Sequence, residues 1–320
     1  MTAGILAAAA ALDLAVGDPD HAWHPVRRMG ALIRWTEARA RRDGRRLKLR
    51  GTGLVLLVLA TVYACGLLAL RAAAWADTDM GFEGWANFTV QALMVWSCLG
   101  IRSMTLHAQD VLAALRQGDL AGARLAVARI VGRDCAGLDE PGVCRACLES
   151  VAESLGDGVM GPLFFAGLGG GPLALVYRAA NTLDSMLGHD DEEYRELGWA
   201  SAKADDLLSW IPARKAALFA ILAAAGMGLD FRSAWRVARK DARAQASPNS
   251  GWPEGAFAGA LGVRLGGPLS YRGERVDKAF LGEARRPLDV AVCEQALKLF
   301  LAASLVAVLV DEALAWYGLH

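Results

Sequence analysis

The stretch Thr52–Ala76, TGLVLLVLATVYACGLLALRAAAWA, decides the class of this chain. As a helix it would run about 37 Å at roughly 1.5 Å per residue, enough to cross the ~30 Å hydrocarbon core of a bilayer. Its one charge, Arg71, lies close enough to the end to reach the interface along its own aliphatic stem. The rest of the 320 residues fit a membrane setting: 54% are hydrophobic and 21% charged, and the mean hydropathy is +0.28. A soluble chain carries about 25% charge, and here the apolar excess is gathered in long runs. Lys and Arg number 34 against 34 Asp and Glu. That balance excludes a polybasic nucleic-acid binder, and the lack of long polar tracts excludes a largely disordered chain. Six cysteines are too few for a disulfide scaffold; Cys65, Cys98 and Cys293 lie in or beside apolar runs, where a thiol behaves as a small hydrophobe.

Three further runs read as spans: residues 1–17, residues 85–101 with Trp85 as interfacial anchor, and residues 296–317, crossed late by Asp311 and Glu312. The first lacks a basic leading region and is not read as a cleaved signal. Two runs are harder to place. Residues 159–177 contain GPLFFAGLGGGPLAL, broken by Gly and Pro, and irregular backbone at membrane depth is tolerated only where protein or water surrounds it. That run is read as re-entrant or interfacial. Residues 213–229 share its fate, because the segments flanking the pair are expected on one side. RARRDGRRLKLR (Arg39–Arg50) carries seven cations and one acid directly before the strongest span. The positive-inside rule puts it in the cytoplasm, as a solvated loop with anionic lipid its one added partner. Thr105–Ile130 reads as two amphipathic helices broken near Gly118, and no β-alternating run of useful length appears. The expectation is an all-α, polytopic membrane protein, one domain over 1–320, with four to six embedded helices and cytoplasmic helical segments.

Four polar segments marked by Gly and Pro are not explained by apolar packing. In GDPDHAWHPVRRMG (Gly17–Gly30), His21 and His24 have no third ligand beside them and read first as a polar juxtamembrane turn. In Ile130–Gly158, Pro141 suits the first turn of a helix and Gly156 and Gly158 its end. On that helix Arg145, Glu149, Glu153 and Asp157 recur every four residues. Carboxylates sharing a stripe repel, so the stripe either calls for a cation, Mg²⁺ with substrate phosphates being the natural one, or is a solvated face. Cys144 and Cys147 look like half a zinc site, but no second pair follows. In Tyr177–Pro212, Asn181, Asp184 and Ser185 stand at helical spacing, Lys203, Asp205 and Asp206 cluster later, and Asp190–Glu193 reads as solvated charge. In Ala246–Gly267, SPNSG is a turn and Pro253 suits the opening of a helix, whose N-terminus is an anion seat. Gly255, Ala256, Ala258, Gly259 and Ala260 would let that helix pack closely. No GxxxxGK[ST], GxSxG or HExxH occurs, and GLGGG at Gly167–Gly171 lacks the context of a dinucleotide fingerprint.

Taken in order, the stretches GDP…HPV..MG (Gly17–Gly30), IVGRD…GLDE (Ile130–Glu140), ESVAES..DGV..PLFF (Glu149–Phe165), YRAANTLDSMLG (Tyr177–Gly188), LGWASAKADDLLSWIPAR (Leu197–Arg214) and SPNSGWPEGAFAGALGVRLGG (Ser247–Gly267) cover nearly the whole chain. They resemble the adenosylcobinamide-phosphate synthase (CbiB/CobD) family of membrane enzymes. Cys135 stands where the family pattern has Thr, and Ser154 where it has Asn. The resemblance implies ATP-dependent amide formation between adenosylcobyric acid and (R)-1-aminopropan-2-ol phosphate, or an ethanolamine phosphate, through an acyl phosphate. It implies ATP and Mg²⁺ as cofactors, a corrinoid substrate, the inner-membrane bilayer with a cytoplasmic active site, and docking to other membrane enzymes of nucleotide-loop assembly.

Under that resemblance Glu149, Glu153 and Asp157 hold Mg²⁺, with Asp184 and Asp205 as competitors. Arg133 and Lys203 stabilise phosphoryl charge, Glu153 also belongs to the catalytic set, and Glu254 is the base for the incoming amine. Asn249, Ser250 and the helix N-terminus seat a phosphate. His24, Asp134, Asn181, Ser247 and Trp252 complete the substrate-binding set. The alternative is a non-catalytic membrane carrier or sensor with a similar fold.

Overall fold

The computed structural model describes residues 4–18, 24–42, 46–189 and 191–317, so His21 and Asp190 lie outside the described residues. Thirteen α-helices and one β-hairpin make up the described chain, which is all-α in class. It resolves into two compact units, each drawn from separated stretches: residues 1–99, 161–209 and 308–320 in the first, and 100–160 and 210–307 in the second. By length and composition, Leu47–Asp79, Glu140–Leu187 and Val290–Tyr317 are candidate membrane spans. Trp199–Leu208 and Trp210–Gly226 meet the same criteria only when taken together, as a broken span or a re-entrant segment.

The first unit holds α1 (Ile5–Val16), α2 (Pro25–Ala40), α3 (Leu47–Asp79) and α4 (Trp85–Trp96). It also holds α8 (Gly161–Leu187), α9 (Trp199–Leu208) and the end of a C-terminal helix. Where a span is expected over 85–101, α4 has only 12 residues, about 18 Å of helix, and does not reach across by itself. Residues 159–177 are not one straight rod. The residues between Phe165 and Tyr177 would occupy about 18 Å of straight helix, yet their rings stack with centroids 5.2 Å apart. A Cβ on Gly161 would likewise fall on the Tyr177 ring. α8 therefore doubles back at Gly169–Gly170, where Gly170 takes φ +72 and Pro172 follows. Gln91 of α4 accepts the Gly171 N–H through Oε1 at 3.2 Å, satisfying a donor that the reversal leaves open. Gly66 lets α3 lie against Pro172, 3.0 Å from where a Cβ would stand.

The second unit holds α5 (Ile101–Arg116), α6 (Leu120–Val127), α7 (Glu140–Leu155), α10 (Trp210–Gly226), α11 (Phe231–Asp241) and α12 (Gly251–Leu261). It also holds the hairpin β1 (Leu265–Tyr271) and β2 (Glu274–Leu281), and most of α13 (Val290–Tyr317). α5 and α6 part at Gly118, whose φ of +69 suits glycine. Asp119, Asp139 and Asp230 cap α6, α7 and α11, accepting N–H groups of Gly122, Gly142 and Ser233 at 2.8, 2.9 and 2.8 Å. Gly156 and Gly158 do not end α7. The helix widens into a π turn, Gly156–Met160, and the freed Gly158 carbonyl accepts the Gly100 N–H at 3.0 Å.

A short hairpin forms although the sequence carries no β-alternating run of useful length. Gly266, Gly267 and Pro268 mask the first strand, but Arg272 and Gly273 take φ +50 and +83, the left-handed pair of a tight hairpin turn.

α12 sits in the centre of this unit, with every residue but Trp252 buried. Gly251, Gly255 and Gly259, four apart, lay one edge of it on α11 and the turn after it. A Cβ on Gly259 would stand 2.4 Å from the Ser233 carbonyl oxygen, and one on Gly255 3.0 Å from Ala238 Cα. Because backbone cannot yield as a side chain does, Gly259→Val is expected to cost at least the ~3 kcal/mol upper end of core overpacking. Thermal unfolding in detergent micelles checks it, and an unchanged midpoint would refute the backbone contact.

Candidate functional site

The buried polar centre of the second unit is built on α7, α12 and the loop before α7. Arg133 in that loop reaches Glu149 of α7, Nη2 to Oε2 2.5 Å, with side chains 12% and 5% exposed. Burial pulls the Arg133 guanidinium down, but the Glu149 carboxylate more than offsets this, so its pKa is raised and its charge is secure. Glu149 Oε1 accepts the Gly266 N–H at 2.7 Å, and Arg145 Nη1 donates to the Gly266 carbonyl at 3.4 Å. This pair therefore also pins the start of the hairpin. Removing either partner alone would strand a buried charge, at about 3–5 kcal/mol.

Glu254, on the first turn of α12, is buried at 7% exposure. Burial raises its carboxyl pKa well above the usual range, and the Glu153 and Glu149 carboxylates push it further. Lys278 and Arg133 offset this only in part. A carboxyl so held keeps its proton to higher pH than a surface acid and, once ionised, is a stronger base.

A second cluster forms at the N-terminus of α12. Ser247 Oγ accepts the N–H groups of Asn249 and Ser250 at 3.2 and 3.3 Å, which sets the turn rather than leaving that hydroxyl aimed outward. Asn249 is buried, and its Oδ1 accepts a hydrogen bond from Arg214 Nη1 at 3.4 Å. The Arg214 guanidinium lies over the Trp210 ring at 4.0 Å and the Trp252 ring at 4.8 Å. Arg243 is close enough to act on Arg214 electrostatically. Neither arginine has a carboxylate within ion-pair distance among the described residues. Two cations beside a helix N-terminus have the charge and the donors to attract an anion. Arg214 and Arg243 are absent from the expected set. Arg214 was visible in the sequence only as the last letter of SWIPAR, with nothing to tell it from other interfacial arginines.

The remaining expected residues sort as follows. Asp134 is committed to the hairpin turn, accepting from Ser270 Oγ and the N–H groups of Arg272 and Gly273 at 2.7, 3.1 and 2.8 Å. The Ser270 and Gly273 donors hold its pKa low. Glu153 is exposed and Asp157 half-buried. Among the described residues no three Asp, Glu, His or Cys side chains gather as a metal site, and Glu149 is taken up by Arg133 and Gly266. The residues present do not fit a resident three-carboxylate Mg²⁺ site. Ser250 and Trp252 flank the α12 N-terminus, both half-buried. Cys135, buried, donates its thiol to the Arg133 carbonyl at 3.3 Å, and Cys144 and Cys147 are core residues of α7.

His24, Asn181, Asp184, Lys203 and Asp205 belong to the first unit. His24 Nε2 meets Asp18 Oδ1 at 3.0 Å. Asn181 accepts from Arg178 at 3.3 Å and donates to Asp205 at 3.4 Å, and Asp205 accepts from Ser209 at 3.4 Å. This is a third polar cluster, on α8, α9 and the residue after it. Lys203 is exposed and pairs with Asp206 at 2.8 Å; Asp184 is half-buried one turn before Gly188, whose N–H donates to its carbonyl.

Fold and sites together define a polytopic helical membrane protein with buried charged clusters among its helices. The family model described as CobD/Cbib protein matches residues 6–300. A Geobacter metallireducens protein named cobalamin biosynthesis protein CobD is 43% identical over 305 residues, 95% of this chain and 94% of that one. A CobD of Photorhabdus laumondii is 41% identical over 97% of this chain and 96% of its own length. A cobalamin biosynthesis protein CbiB of Salmonella typhimurium is 40% identical over 92% of each. The chain belongs to the CobD/CbiB family. No solved structure matches it.

Proposed function

We propose that this protein acts in cobalamin biosynthesis as an adenosylcobinamide-phosphate synthase. In this reading it joins adenosylcobyric acid to (R)-1-aminopropan-2-ol phosphate, or an ethanolamine phosphate, at the cytoplasmic face of the inner membrane. A carboxylate is a poor electrophile. Transfer of the γ-phosphoryl group of Mg²⁺–ATP to a carboxylate oxygen makes an acyl phosphate and releases ADP. The amine nitrogen then attacks the acyl carbon, the bond to phosphate breaks, and inorganic phosphate leaves. One proton must leave the ammonium before attack and another from the nitrogen as the amide forms.

The observation that carries this reading is Glu254, a buried carboxyl with a raised pKa, on a helix whose N-terminus gathers Arg214, Arg243 and Asn249. A base with a raised pKa suits an ammonium donor. Arginines at a helix N-terminus suit phosphate. Mg²⁺ arrives with the nucleotide and needs only one or two protein carboxylates, for which Glu153 is our first choice and Asp157 the second. Arg133, held by Glu149, contributes fixed positive charge near Glu254. On family resemblance, His24 and Asn181 of the first unit are assigned to substrate binding, Lys203 to phosphoryl charge, and Asp184 and Asp205 as competing Mg²⁺ ligands.

The test is ADP release by the purified protein in lipid, with Mg²⁺, ATP, adenosylcobyric acid and aminopropanol phosphate, each omitted in turn. Release that needs both organic substrates supports the synthase. Release with adenosylcobyric acid alone supports an acyl phosphate formed before the amine arrives. Glu153→Gln is expected to cut turnover by ~10²-fold or more, the scale of losing one group that stabilises transferring charge, with membrane insertion intact. Near-normal turnover would remove Glu153 from the site.

A carrier or sensor is the second reading, favoured by Asp13 and Asp311, both fully buried in apolar helices of the first unit. Folded protein that binds the corrinoid yet releases no ADP under any combination would select it.

A further inference from the structure

A cleft of about 270 Å³ opens in the first unit between the second half of α2 and the first turns of α3. Trp35 and Arg39 line it from α2, and Arg50, Gly53, Leu54 and Leu57 from α3. Its two cations are held in position. Arg39 Nη1 donates to the Trp35 carbonyl at 3.0 Å while its guanidinium lies 3.4 Å over the Trp35 ring. Arg50 Nη1 donates to the Ala40 carbonyl at 3.1 Å. The one acid on α2, Glu37, is held by Arg41 at 2.9 Å, so it does not neutralise Arg39. Arg39 has no carboxylate within ion-pair distance among the described residues.

Thr36, Ala40 and Leu54 form its buried floor, while Trp35 is 52% and Leu57 51% exposed, and Leu49 and Leu56 continue that exposed apolar surface along α3. A water-soluble phosphate ester has nothing to lay against that surface. A molecule with an anionic head and a hydrocarbon tail matches both parts, and basic pockets between membrane helices are where anionic lipid headgroups bind. From this juxtaposition we infer that the cleft binds an anionic glycerophospholipid, its phosphodiester on Arg39 and Arg50 and an acyl chain along Leu56, Leu57 and Trp35. The site is independent of the reaction assigned to the second unit.

Native mass spectrometry of the full chain, released from micelles carrying phosphatidylglycerol or phosphatidylcholine of the same acyl composition, tests it. Phosphatidylglycerol is expected to stay bound at least ~10-fold more tightly, and the Arg39→Gln/Arg50→Gln protein to lose that preference, on the scale of two juxtamembrane cations. Gly53→Leu offers a variant that spares the arginines. A Cβ at Gly53 meets nothing within 4 Å, so the new side chain fills the cleft without forcing the helices apart, and retention should fall by a similar factor. Arg42→Gln/Arg46→Gln removes as much charge from the same loop without touching the lining and should leave retention unchanged. Equal loss in that control, equal retention of both lipids, or displacement of the lipid by millimolar glycerol phosphate would each overturn the proposal.

Discussion

Glu254→Gln is expected to lower amide formation by ~10²–10⁴-fold, the range for losing a positioned general base, while ADP formation with adenosylcobyric acid and ATP survives. Gln keeps the size and the hydrogen-bonding of the neutral carboxyl, so α12 should still pack; only the proton acceptor is gone. Burial and the Glu153 and Glu149 carboxylates raise the wild-type pKa, so the wild-type rate should climb with pH through that raised value. The variant should lose this limb of the profile. The linkage has a definite sign. A carboxyl whose folded pKa lies above its unfolded one favours the folded state most at pH values below the unfolded pKa. That contribution is lost as pH rises through the folded pKa. Glu254→Gln should therefore resist alkaline unfolding better than wild type, and thermal midpoints measured across pH check it. Wild-type turnover in Glu254→Gln would end the general-base assignment.

Arg214→Ala is expected to raise KM for a phosphate-bearing substrate by ~10–150-fold, the scale of one charged hydrogen bond at about 1.5–3 kcal/mol, with a smaller change in kcat. The guanidinium is oriented by Trp210 and Trp252 and hydrogen-bonded to Asn249. An ammonium in its place keeps the charge but not the planar fork, so Arg214→Lys should recover only part of the affinity. Because two like charges are brought together, binding should also weaken with salt in wild type, and less steeply in Arg214→Ala. Titration of inorganic phosphate followed by Trp fluorescence reads this directly, since two tryptophans flank the group. Unchanged KM values and unchanged phosphate binding would remove the anion seat from α12.

Membrane character, helical class and family were legible in the residues because each is a local property. The long apolar run Thr52–Ala76 forms a helix long and apolar enough to span, and SPNSGWPEG forms the turn and helix start that its residues favour. The small residues of that segment likewise announced close packing, and Gly255 and Gly259 make it. The hairpin at Leu265–Leu281 escaped because its first strand begins with glycines and a proline and is held by side chains distant in sequence, Glu149, Arg145 and Asp134.

The site divides along the same line. Which segments are polar could be read from the chain, but what each side chain does depends on partners that folding supplies. Glu149, Glu153 and Asp157 look alike as a stripe, yet Arg133 and the Gly266 N–H claim the first, and burial singles out Glu254 instead. Asp134, expected in the substrate-binding set, braces the hairpin turn, and Arg214, given no role from the sequence, lies over two indole rings. Residue type and spacing along one helix were therefore enough to name the charged groups. Their pKa, their partners and their freedom to meet a substrate depend on burial and on contacts between elements far apart in the chain, so only the tertiary structure decided them.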